Sequence, residues 1–66
     1  MQVFLNGEPH DVPDGTTVAE LVARLQLIPQ RVAVELNTRL VRRGEYAQTP
    51  LHAGDRVEIV TLVGGG

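Results

Sequence analysis

The chain has 66 residues, 42% of them apolar and 21% charged, with a net charge of −2 at neutral pH, which is material for one domain around one core. It holds no cysteine and two histidines, His10 and His52, so disulfides, cysteine-histidine zinc sites and thiol chemistry are excluded. Its only aromatics are Phe4 and Tyr46 and its balance is acidic, so it offers neither a stacking platform for bases nor a basic stripe for phosphates.

Residues 2–6, Gln-Val-Phe-Leu-Asn, are a short β-prone run that meets Gly7, and Asn-Gly between two such runs predicts a tight hairpin. The return strand is Glu8 to Val12, where Pro9 has no N–H to donate and suits a sheet edge. Pro13-Asp14-Gly15 then breaks the strand. Thr17 and Glu20 have the capping-box spacing, which starts a helix of about ten residues. Val18, Leu21, Val22 and Leu25 form its apolar stripe, with Glu20, Arg24 and Gln26 off it, and Pro29 forbids continuation past Ile28.

Residues 32–36, Val-Ala-Val-Glu-Leu, alternate as a half-buried strand does. Asn37-Thr38-Arg39 turns into a very short strand at Leu40-Val41. A polar connection from Arg42 to Pro50 follows, with one helical turn around Glu45 and Tyr46. His52-Ala53-Gly54-Asp55 is a second turn cluster, and the last strand runs from Arg56 to about Leu62 before Gly64-Gly65-Gly66. One helix and strands enough for one sheet give a two-layer α+β answer: a helix packed on a mixed sheet of four to five strands, with the first and last strands side by side at its centre. This is the β-grasp arrangement, with residues 1–63 as the folded domain and 64–66 as a flexible tail.

The inventory argues against catalysis by the chain itself. No lysine is present, so a Gly-x-x-x-x-Gly-Lys loop cannot be made, and no Gly-x-Gly-x-x-Gly occurs. Serine is absent as well, and Thr17 is accounted for as a cap. Asp11, Asp14, Glu20, Glu45 and Asp55 fall in turns or on solvent faces, where solvated charges belong. Neither a catalytic residue nor a metal or cofactor site is expected, and any ATP must be held by a partner. With no apolar run near 18 residues and no signal-peptide core, the expectation is a soluble cytoplasmic domain, monomeric when free, that binds neither nucleic acid nor membrane.

What remains is the end of the chain. Glycine lacks Cβ, so Gly64 and Gly65 make a thread that fits a channel too narrow for side chains and carries the Gly66 carboxylate into another protein's active site. Three glycines alone also fit a frayed end, and the rest of the sequence has to decide between the two.

Val32-Ala-Val-Glu-Leu-Asn37, Val41 with Arg43, Glu45-Tyr46, Thr49-Pro50-Leu51, Gly54-Asp55, and Val57-Glu58-Ile59-Val60 running into Val63-Gly-Gly-Gly66 together resemble the ThiS family, the sulfur carriers of thiamine biosynthesis. The resemblance covers the whole chain, including the Asn6-Gly7 opening and the Thr17 to Leu25 helix. It departs at Thr38, where the family often has Gly, and at Arg42, where Pro is common, which bears on the local turn.

The resemblance implies a ubiquitin-like β-grasp protein that is a co-substrate and not an enzyme. A ThiF-type adenylating enzyme would use ATP and Mg to convert the Gly66 carboxylate to an acyl-adenylate. Cysteine-derived sulfur would replace AMP, and the resulting thiocarboxylate would serve thiazole synthase (ThiG). An acyl-adenylate is attacked by amines and thiols, and a chain without Lys or Cys has no side chain to acylate; a coding preference for arginine explains the same absence. Carriers for molybdopterin synthesis or tRNA thiolation, a ubiquitin-like modifier and a plain β-grasp binding module stay open as rivals.

Strand parity places the partner surface. With Val57 and Ile59 facing the helix, Arg56, Glu58, Val60 and Leu62 face away, and Phe4 does likewise between inward Val3 and Leu5. Phe4, Glu58, Val60, Leu62 and Val63 are therefore the expected docking surface, an apolar patch leading to the tail.

Overall fold

The computed structural model describes residues 1–62, so Val63 and the tail from Gly64 to Gly66 lie outside the described residues. The first hairpin joins β1 (Gln2–Leu5) to β2 (Glu8–Asp11) through Asn6 and Gly7, both with positive φ, 50° and 85°. These are the signs a type I′ turn requires, and Asn-Gly accepts them with least strain. Phe4 stands opposite Pro9, and β2 is an edge strand, where the missing proline N–H costs no ladder bond.

The helix, α1 (Val18–Arg24), begins with the capping box: Thr17 Oγ1 accepts from the Glu20 amide at 3.2 Å, and Glu20 Oε1 accepts from the Thr17 amide at 2.9 Å. At seven residues it is shorter than the expected ten. The reason lies at Gln26, whose φ of 59° puts it in the left-handed region. From there the Gln26 amide donates to Ala23 O and the Leu27 amide to Val22 O, the two bonds of a Schellman cap. The chain thus leaves the helix before Pro29 has any say, and Pro29–Arg31 forms a separate 3₁₀ turn.

A second hairpin joins β3 (Val32–Leu36) to β4 (Arg39–Val41) through Asn37 and Thr38, with φ of 51° and 71°. This repeats the backbone of the first turn with a β-branched residue where the first has glycine. The expected helical turn around Tyr46 is a 3₁₀ segment, Arg43–Gln48, whose Tyr46 ring is buried in the core. Beyond it, β5 (Arg56–Thr61) enters the middle of the sheet, whose order is β2-β1-β5-β3-β4. β5 runs parallel to β1 and antiparallel to β3, so the sheet is mixed and the first and last strands are neighbours.

One core lies between sheet and helix. Val18, Leu21 and Val22 of α1 pack toward Val3, Val34 and Val57, all essentially inaccessible to water. Each such side chain contributes about 1.5–3 kcal/mol relative to staying exposed. The fold is the ubiquitin-like β-grasp, one helix held on a five-stranded sheet.

Candidate docking face and chain end

Because one face of the sheet is covered by α1, every second residue of each strand is left on the other. On β5 the alternation is strict: Val57 and Ile59 are buried, while Arg56, Glu58, Val60 and Leu62 are exposed. Val60 and Leu62 keep 59% and 54% of their surface in water, a high fraction for aliphatic side chains two residues apart at the end of a strand. Both stand on the stretch that runs toward the glycines.

Phe4 is on the same face, directly opposite Arg56 on one side and Pro9 on the other. It is half-buried, and it does not touch the Val60–Leu62 end of the patch through its register position. Arg56 and Val60 are four residues apart, about 13 Å along a strand, with Glu58 between them. The expected patch is therefore an interrupted face with aromatic and aliphatic ends and charged residues in the middle.

Those charged residues border a cavity of about 270 Å³ lined by Phe4, Gly7, Arg56, Val57 and Glu58. It exists because β1 stops at Leu5 and turns away at Asn6-Gly7, while its parallel neighbour β5 continues. The last ladder bonds between them run from the Phe4 amide to Asp55 O and from the Asn6 amide to Val57 O, both 2.8 Å. Beyond that point the Asn6 side chain takes over, accepting from the Ile59 amide at 2.9 Å and donating to Ile59 O at 3.3 Å. On its other edge β5 is held by β3 to the end, where the Leu62 amide donates to Arg31 O at 2.7 Å.

A matching role falls to Asn37. Its Oδ1 accepts from the Arg56 amide at 2.9 Å and its Nδ2 donates to Asp55 Oδ1 at 3.1 Å, while Asp55 Oδ2 accepts from the His52 amide at 2.7 Å. Two turn asparagines thus fix the central strand from opposite sides. The sequence marks both positions as turns but not as ties to β5, since that requires knowing which strand lies beside them. Two further members of the outward face went unrecognised for the same reason: Glu35, opposite Glu58, and Leu40, opposite Glu35. Leu40 is 69% exposed.

The carboxylates considered for chemistry have other work or none. Glu20 caps α1 and Asp55 ties the turn before β5, while Asp11, Asp14 and Glu45 are exposed. Among the described residues no group of three or more acidic or histidine side chains is placed to hold a metal ion, and no helix is long and apolar enough to cross a membrane.

Comparison with known proteins places these features. The ThiS family model matches residues 3–66. The sulfur carrier protein ThiS of Thermus thermophilus is 39% identical over 64 residues, covering 97% of this chain and 98% of that protein. A thiazole synthase of Magnetococcus marinus is 44% identical over all 66 residues, and the chain spans only 20% of that protein's length. A crystal structure of the thiamine biosynthesis protein ThiS from Geobacter metallireducens superposes with a TM-score of 0.86 at 33% identity, with both chains covered completely.

Proposed function

The chain belongs to the ThiS family, the small sulfur carriers of thiamine biosynthesis, and from that premise we propose that it carries sulfur on the carboxyl group of Gly66 for construction of the thiazole ring. The observation that carries this reading is the family match through residue 66, which takes in the three glycines. A carboxylate is a poor electrophile until one of its oxygens becomes a good leaving group. A ThiF-type adenylating enzyme supplies that by letting the Gly66 carboxylate oxygen attack the α-phosphorus of Mg-bound ATP, with pyrophosphate leaving. A sulfide-level nucleophile derived from cysteine then attacks the carbonyl carbon of the acyl-adenylate. AMP departs with the C–O bond pair, and a thiocarboxylate remains.

Each part of this chain has a share in that scheme. Gly64 and Gly65 let the end enter a narrow active site, since neither brings a Cβ. Phe4, Glu58, Val60, Leu62 and Val63 form the surface on which the adenylating enzyme and the thiazole synthase dock in turn. Thiazole synthase is supported as a partner by a relative of that name in which the similarity to this chain accounts for a fifth of the protein. The thiocarboxylate sulfur, a soft nucleophile, is what that enzyme receives. The chain acts as a co-substrate, and the catalytic groups belong to its partners, which function together with it in the cytoplasm.

Deleting the gene tests the pathway: the account predicts thiamine auxotrophy that added thiazole rescues. Loss of molybdopterin or of thiolated tRNA, with thiamine synthesis intact, overturns it.

A further inference from the structure

The middle of the outward sheet face holds two carboxylates that no neighbour neutralises. Glu35 and Glu58 are direct partners across the β3–β5 ladder, which puts their Cβ atoms about 4.5–5.5 Å apart, and like charges in that relation destabilise a sheet. Both side chains are exposed. Arg56 stands two residues before Glu58 on the same face, yet among the described residues no cation lies within 4 Å of either carboxylate.

The surroundings turn this local cost into a statement about the partner. Leu40 is the cross-strand neighbour of Glu35, and Val60 follows Glu58 on the same face of β5, with Leu62 beyond it. These three are among the large apolar side chains the fold leaves most exposed. A surface broad enough to cover Leu40, Val60 and Leu62 together necessarily covers Glu35 and Glu58, which lie among them. Removing two adjacent carboxylates from water without a counter-charge costs far more than burial of the aliphatic groups returns. A partner that docks here must therefore bring positive charge to this spot.

We propose that the protein surface docking on this face presents an arginine between Glu35 and Glu58, set in an otherwise apolar contact made with Leu40, Val60 and Leu62. A guanidinium suits the place better than an ammonium: its planar fork can donate to both carboxylates at once, and it is the more weakly hydrated cation and so loses less on burial. The proposal rests on the carrier reading above and specifies the chemistry of the partner's side of that contact.

The test uses the full chain with the adenylating enzyme and with the thiazole synthase, comparing wild type, E35Q, E58Q and E35Q/E58Q by binding kinetics and thermal melting. Neutralising either glutamate should weaken binding to at least one partner about tenfold or more, chiefly through faster dissociation. The loss should persist in about 1 M salt, where exposed charges are screened within about 3 Å. The same variants should melt at or above the wild-type temperature, because the repulsion in the free chain is relieved. Binding as tight as wild type by all three variants, or a loss that vanishes in high salt, overturns the proposal while a bound and sulfurated wild type leaves the carrier reading standing. A wild-type chain that neither partner binds or sulfurates removes both.

Discussion

The carboxamide of Asn6 closes a two-point hydrogen-bonded ring on the backbone of Ile59, 53 residues further along the chain, accepting from its amide at 2.9 Å and donating to its carbonyl at 3.3 Å. Asn6 is also the first left-handed residue of its turn, with φ of 50°. One residue therefore reverses β1 and finishes the pairing of β5 where β1 can no longer reach it.

The two roles separate by substitution. Asn6→Gly keeps the left-handed backbone and removes both bonds, and should lower unfolding free energy by about 1–2 kcal/mol. Asn6→Ala removes the bonds and adds the strain of a left-handed alanine, a further cost of about 1 kcal/mol. Urea titration measures both, and equal losses in the two variants contradict the division.

Thr38 holds a φ of 71°, a conformation β-branched residues resist. Thr38→Gly makes the second hairpin an Asn-Gly turn like the first. It should raise stability by about 0.5–1 kcal/mol, the relief of strain exceeding the entropy glycine adds to the unfolded chain. A lower denaturation midpoint contradicts the strain.

Val60→Ser and Leu62→Ser change side chains that are more than half exposed, so each should move folding stability by no more than about 0.5 kcal/mol. Binding to the adenylating enzyme or the thiazole synthase should fall about tenfold in the double variant, because apolar contact area is lost from the proposed interface. Unchanged affinity for both enzymes moves the docking surface elsewhere on the fold.

The chain contains no lysine. If that absence guards the activated end against self-acylation, Arg56→Lys should yield an internal amide during adenylation, seen as loss of water in the intact mass. No such adduct leaves arginine preference as the explanation.

Most of the fold is legible in the sequence because its signals are local. Asn6-Gly7, the Thr17–Glu20 box and the alternation through Val57 and Ile59 each specify their own few residues, and the structure places all three as expected. The helix end was less legible: a glutamine in the left-handed region ends α1, and glutamine carries no strong preference for that position. The docking face was legible along each strand but not across strands. Parity places Phe4, Glu58, Val60 and Leu62 outward, but only the register reveals that Glu35 opposes Glu58, that Leu40 stands beside Glu35, and that Phe4 sits at Arg56.

The central claim concerns one carboxyl group, and intact-mass spectrometry addresses it directly. The chain is incubated with a ThiF-type adenylating enzyme, Mg-ATP and a sulfide donor, beside a variant lacking Gly65 and Gly66. The account predicts that wild type exchanges one oxygen for one sulfur, located at Gly66 by fragmentation, while the shortened chain keeps its mass and its melting temperature. An unchanged wild-type mass with every cognate activating enzyme, or sulfur found anywhere other than Gly66, contradicts it.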